Sequence, residues 1–190
     1  MKIVDIFAIV KGSLLSVQFD GMSSDEFALL FDNWNDVEYL EQFFEDNKAD
    51  LQSGFYGKIS VEEAVSRTIE EAEALEEYIR NVAKTGCSDP DENRLDLTFH
   101  KLSEKDYSIL LLKSKAYGLH NHSWLKIYAI RIAENLYVVC GGGIKLTETM
   151  NERKHLLKEL EKLEATKQYL KKIDLLNEDD YDFTEISDHE

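Results

Sequence analysis

The sequence predicts an α+β fold, a small antiparallel sheet with helices packed on it. Three observations predict it. Two apolar, β-branched runs, Ile3–Val10 and Leu14–Phe19, lie on either side of Lys11-Gly12-Ser13. Two capping boxes, Ser60-Val-Glu-Glu63 and Thr149-Met-Asn-Glu152, stand before long segments of helical period. Between them, from Leu95 onward, the apolar period shifts toward two, most clearly in Trp124–Ile132 and Leu136–Cys140.

Taken in order, Lys11-Gly12-Ser13 is a hairpin signal, since glycine supplies the backbone conformation that a tight reversal needs. Ser23 or Ser24 before Asp25-Glu26 begins helical territory: short side chains cap free N–H groups and acids favour the first turn. Phe27, Leu30, Phe31 and Trp34 follow at helical spacing. Val37, Leu40, Phe43 and Phe44 continue it after a break near Asn33–Asn35. In the next helix Val65, Ile69, Ala72, Leu75, Ile79 and Val82 form the apolar stripe. Glu62, Glu63, Glu70, Glu73 and Glu77 crowd its outer face. The helix is expected to stop near Gly86, before the loop Asp89-Pro90-Asp91. Leu95–Leu102 and Tyr107–Leu112 read as extended segments. Trp124–Ile132 is the clearest strand, with a turn at Ala133-Glu134-Asn135 and an antiparallel return through Leu136–Cys140. Gly141–Gly143 is expected to turn the chain into Ile144-Lys145-Leu146. The last helix buries Leu156, Leu160, Leu163 and Leu170.

The chain of 190 residues is 43% hydrophobic, enough to build a core in one domain. Its division is expected to be a single α+β domain over 1–172 and an acidic tail over 173–190. Within the domain, 20–94 is an acidic helical elaboration, and 95–172 holds the later strands and last helix. Charge is sorted along it. Residues 1–100 carry 8 basic against 22 acidic side chains; 101–172 carry 14 against 8; 173–190 carry 8 acidic and no basic ones. A net charge of −16 argues against nucleic acid for the whole chain, while the basic middle segment allows it locally. Cys87 and Cys140 give neither a disulfide framework nor metal-ligand spacing. The apolar run Ile3–Val10 is interrupted by Asp5 and has no small-residue cleavage site after it, so it reads as a strand rather than a leader. With no apolar run long enough to cross a bilayer, the expected setting is the cytoplasm, away from membranes.

Several motifs invite chemistry. His120-Asn121-His122 spells the name of a nuclease motif, but the dispersed ligands of that motif are missing; the tripeptide reads as a polar loop in which one histidine can act as acid or base near neutral pH. Gly141–Gly143 with Lys145 lacks phosphate-loop spacing, because Leu146 follows the lysine. No His-Glu pair stands at a metalloprotease spacing, and neither metal nor cofactor is expected. The cations are more informative. Along Trp124–Ile132 alternation puts Lys126 and Tyr128 on one face, and Leu125, Ile127, Ala129 and Arg131 on the other. Lys113, Lys115, Lys145, Arg153, Lys154 and Lys158 add charge, and Trp124, Tyr128 and Tyr137 interleave with them. Cations can track a phosphate backbone while aromatic faces stack bases; the alternative is an ordinary soluble exterior.

From Trp124 to about Leu170 the chain resembles the RelE/HigB-like toxin superfamily, particularly its phage-derived branch. The matching pattern is a strand ending in arginine (WLKIYAIRI), a turn, and a hydrophobic strand (LYVVC). An Ile-Lys-Leu strand then precedes Thr-Glu-Thr-Met-Asn-Glu-Arg-Lys, which enters a Lys/Glu-rich helix. The resemblance implies a RelE-like sheet and C-terminal helix over 95–172. It also implies a toxin-type protein acting on RNA, an endoribonuclease that cleaves ribosome-bound mRNA without a metal. Arg131, His122 and Tyr128 would be the catalytic set, with Lys126, Lys145, Arg153 and Lys154 binding RNA. Partners would be the ribosome or RNA, and a helix-turn-helix antitoxin. The alternative is a non-catalytic module that binds a basic protein through its acidic helices.

Overall fold

A computed structural model describes residues 1–53, 55–88, 94–103, 111–120, 122–147 and 153–173. Its elements run β1 (Ile3–Val10), β2 (Leu14–Phe19), α1 (Glu26–Asn35), α2 (Val37–Asp46), α3 (Lys48–Leu51) and α4 (Val61–Ser88). Then come α5 (Leu95–Thr98), β3 (His100–Lys101), β4 (Leu112–Tyr117), β5 (Leu125–Ala133), β6 (Leu136–Ile144) and α6 (Lys154–Lys172). The fold is α+β. The strands form a six-stranded sheet in the order β1-β2-β6-β5-β4-β3. It is mixed rather than wholly antiparallel, because β2 lies parallel to β6, with Leu14 opposite Tyr137 and Ser16 opposite Val139.

Helices cover both faces. Phe27, Phe31 and Trp34 of α1, Leu40 and Phe44 of α2, and Ala72, Leu75 and Ile79 of α4 pack with Trp124, Ile127, Ala129 and Val139 of the sheet region. On the other face, Leu163 and Leu170 of α6 pack over Val17, Tyr128, Ile130 and Val138. The alternation along β5 therefore sorts its side chains between two cores.

Local chemistry sets the boundaries. Gly12 turns the first hairpin with a φ of +75°. Asp25 caps α1, its carboxylate accepting the N–H groups of Phe27 and Ala28. The break between α1 and α2 falls at Asp36, just past the expected 33–35, because its carboxylate accepts the Tyr39 N–H at 3.0 Å and starts a new helix. Ser60 performs as the capping box requires, accepting the Glu63 N–H at 3.1 Å. The second box, at 149–152, lies outside the described residues.

The α4 helix ends at Ser88, near the expected Gly86, whose missing Cβ leaves room for the side chain of Asn135. Other expectations need correction. The segment from Leu95 is a short helix, its first N–H held by Asn135 Oδ1 at 2.9 Å, followed by the brief strand β3. Strand β4 begins at Leu112, where an extended segment was expected to end; 104–110 lie outside the described residues. The glycines 141–143 are not a turn but part of β6. A bulge there sets Tyr128 opposite Gly141 and Ala129 opposite Val139. A Cβ on Gly141 would fall on the Glu159 carboxylate, and one on Gly142 would meet the Lys126 carbonyl. Close approach, rather than chain reversal, is what these glycines provide.

Candidate functional site

At the end of the sheet where β4 leaves and β5 enters, residues 118–120 and 122–124 are polar loop segments. The N–H of Gly118 donates to the Leu125 carbonyl and that of Ser123 to the His120 carbonyl. A pocket of about 440 Å³ opens beside them, lined by Tyr56, Tyr117, His120, His122, Lys126 and Lys145 among others. A second hollow of about 270 Å³ shares Tyr117, Lys126 and Lys145, and adds Lys115 and Tyr128.

Lys126 stands in both. Although it is only 7% exposed, its Nζ donates one hydrogen bond, to the Ser123 carbonyl at 2.5 Å. Its ammonium lies 4.4 Å from the centre of the Tyr117 ring, and that of Lys115 lies 5.4 Å from it. Burial, followed by the neighbouring charge of Lys145, pulls the Lys126 amine down to about 8, against the partial opposition of Glu71. Burial also pushes the Tyr128 phenol up, so it remains a neutral hydroxyl.

Behind the loop sits Glu71 of α4, fully buried. One carboxylate oxygen accepts the His120 N–H at 3.2 Å; among the described residues the other has no hydrogen-bond partner. Gly118 leaves the space that Glu71 and Ser123 Oγ occupy. Trp124 anchors the loop's end, its Nε1–H donating to Thr68 Oγ1 at 3.0 Å, with the Arg67 guanidinium 4.5 Å from its ring. On the other wall Tyr56 donates to the Lys145 carbonyl at 2.7 Å.

The structure thus brings together His122, Lys126, Tyr128 and Lys145 around adjoining hollows. It does not bring Arg131 there. That side chain lies on the opposite face of β5, where its Nε donates to Asp96 Oδ1 at 2.6 Å. Asp96 also accepts the Asn135 N–H at 2.7 Å and the Tyr137 hydroxyl at 3.2 Å, which makes it the hub of a structural network. Arg153 pairs with Asp50, and Lys154 is exposed at the head of α6; neither lines either hollow. The sequence reading missed Glu71, Tyr56 and Tyr117. Glu71 had a signal: it falls three residues after Thr68 and four before Leu75, on the buried side of α4. Among the described residues no helix is long and apolar enough to cross a membrane, and no cluster of side chains is arranged to hold a metal ion.

Compared with protein families, curated proteins and solved structures, the chain finds no match.

Proposed function

We propose that this chain is a RelE/HigB-like, toxin-type protein that acts on RNA in the cytoplasm, by metal-independent cleavage of ribosome-bound mRNA. The observation that carries the reading is the meeting of Lys126, Lys145 and His122 in one pocket with the rings of Tyr117 and Tyr56. Ammonium groups hold a phosphate and exposed rings stack bases, so the pocket has the parts that a strand of RNA requires. In such a cleavage a base takes the proton of a ribose 2′-hydroxyl, the 2′-oxygen attacks the adjacent phosphorus, and the departing 5′-oxygen receives a proton. A lysine whose amine is pulled down to about 8 supplies a neutral fraction for the first transfer, and His122, which lines the same pocket, is the proton donor of this reading for the second. Lys145 and Lys115 face the charge that grows on phosphorus. Tyr128 presents a hydroxyl donor, while Arg131 serves the scaffold through Asp96.

The test is induction of the chain in cells with mapping of mRNA ends. Cleavage is expected for the wild type and is lost in Lys126→Met and His122→Ala. Intact mRNA at high expression of the folded wild type would overturn the reading. One observation favours a second reading, a non-catalytic module for a basic partner: Glu62, Glu63, Glu70, Glu73 and Glu77 are all exposed along α4. Co-purification separates the two, since a small helix-turn-helix antitoxin or ribosomal proteins fit the first. A basic partner that is lost when these glutamates become glutamine fits the second.

A further inference from the structure

Among the described residues, several cations outside the pocket are neutralised. Lys162 pairs with Glu26, Lys113 with Glu164, Arg131 with Asp96, and Arg153 with Asp50. Lys115 and Lys126 are different. They flank one ring, that of Tyr117, and among the described residues neither has a carboxylate within ion-pair reach. An ammonium has three N–H donors, and Lys126 gives one of them to the protein, at the Ser123 carbonyl. A buried cation with unused donors, beside a second cation without an ion pair and only partly offset by the charge of Glu71, is costly to the fold, and an anion from outside would relieve that cost.

The number of charges narrows that anion. An internal phosphodiester carries one negative charge, whereas a phosphate monoester approaches two at neutral pH. Lys115 and Lys126, with Lys145 lining the same hollow, favour the anion with two charges over the anion with one. Beside Lys126 lies the exposed ring of Phe55, which offers an apolar face to a base attached to that phosphate. We infer that the pocket prefers a phosphate monoester joined to a nucleobase, the phosphorylated end of an RNA strand or a free nucleotide, over an internal phosphodiester. The inference rests on the RNA-acting reading for its choice of strand. It adds that a phosphorylated end, close in charge to the dianionic phosphorane of strand cleavage, holds the pocket more tightly than intact strand.

Titration calorimetry on the full chain tests this with adenosine 3′-monophosphate, adenosine, and a short single-stranded RNA carrying either a 3′-phosphate or a 3′-hydroxyl. The nucleotide is expected to bind at least about tenfold tighter than the nucleoside, and the phosphorylated RNA about tenfold tighter than the hydroxyl form, the loss expected for one charge-assisted hydrogen bond. Lys126→Met and Lys115→Met, each checked for folding by circular dichroism, are each expected to remove that preference. Equal affinity for the phosphorylated and hydroxyl forms, or a preference unchanged in both folded variants, overturns the inference. RNA that binds without regard to its end overturns the inference and leaves the RNA reading intact. Nucleotide that binds where no RNA does supports the monoester site and overturns the RNA reading.

Discussion

Lys162 of α6 reaches Glu26 at the head of α1, Nζ to Oε2 at 2.7 Å, although the two helices pack on opposite faces of the sheet. The contact lies where β2 and β6 part company, beyond Ser16 and Val139. The same ammonium meets Glu159 Oε1 at 3.0 Å, and Glu159 Oε2 accepts the Gly142 N–H at 2.9 Å. Two buried carboxylates therefore share one cation. Removing it in Lys162→Met strands both, and the expected loss is about 3–5 kcal/mol. Urea unfolding measures it, and a loss under about 1 kcal/mol, the scale of an exposed pair, contradicts a buried network.

Stability across pH carries a second signature of that triad. Burial holds the Glu26 carboxyl above its usual range despite Lys162, and it does the same for Glu159. A raised carboxyl keeps its proton longer in the folded chain than in the unfolded one. Its contribution is therefore complete below about 4.5 and is lost as pH rises through the folded value. Glu26→Gln removes one such group. Its unfolding free energy is expected to fall less than that of the wild type between pH 4.5 and neutrality, with Glu159 retaining its own share. Parallel curves for the two proteins contradict the assignment.

Asp96 works in the opposite direction. Burial alone would raise its carboxyl, but donors from Arg131, Asn135 and Tyr137 hold it below 3.8. Its stabilisation is present above that value and disappears as pH falls through the folded one. Asp96→Asn is expected to cost about 1.5–3 kcal/mol at pH 7, the worth of a hydrogen bond to a charged group. It should also flatten the acid limb of the stability curve, which thermal melts between pH 2 and 5 report. Arg131→Ala, by this account, lowers stability and leaves any preference for phosphorylated ends unchanged.

Lys126 should show the conflict between a binding group and its fold. Its folded amine titrates at about 8, against 10.5 for an ordinary lysine. Below about 8 the ammonium is charged in both states and its burial costs stability. Between about 8 and 10.5 only the unfolded chain holds the proton, so stability rises with pH across that window. Lys126→Met is expected to be more stable than the wild type at pH 7 and to lack the rise. Chemical unfolding at pH 7 and pH 9.5 checks both, and a destabilised variant at pH 7 counts against an unneutralised cation.

What the sequence made legible was local. The first hairpin follows from Gly12, the start of α4 from Ser60, and the sorting of β5 between two cores from strict alternation through Lys126, Ile127, Tyr128 and Ala129. The five exposed glutamates of α4 were readable from spacing. What escaped depended on partners distant in the chain. Nothing near Leu14 announces that it will lie beside Tyr137. Gly141 and Gly142 read as a turn because the carboxylate and carbonyl that require their missing side chains come from Glu159 and Lys126. For the site, Lys126, Lys145 and His122 were recognisable as chemistry, but their meeting was not. Arg131 was misleading because an arginine closing a strand looks the same whether it faces a ligand or a buried aspartate.

The parallel seam between β2 and β6 also dictates a timetable. During translation Leu14–Ser16 emerge about 120 residues before Tyr137–Val139, the segment they will pair with. At roughly 5–20 residues per second that is a wait of about 6–25 s. Through it both edges of the hairpin are unpaired, that of β1 as in the final sheet and that of β2 awaiting β6, and a lone hairpin is only marginally stable in water. The earliest-made strands of the sheet must therefore be kept from foreign strands until the middle of the chain arrives, a task suited to a nascent-chain chaperone. Slowing synthesis before residue 136 lengthens that exposure, whereas slowing it after residue 144 does not.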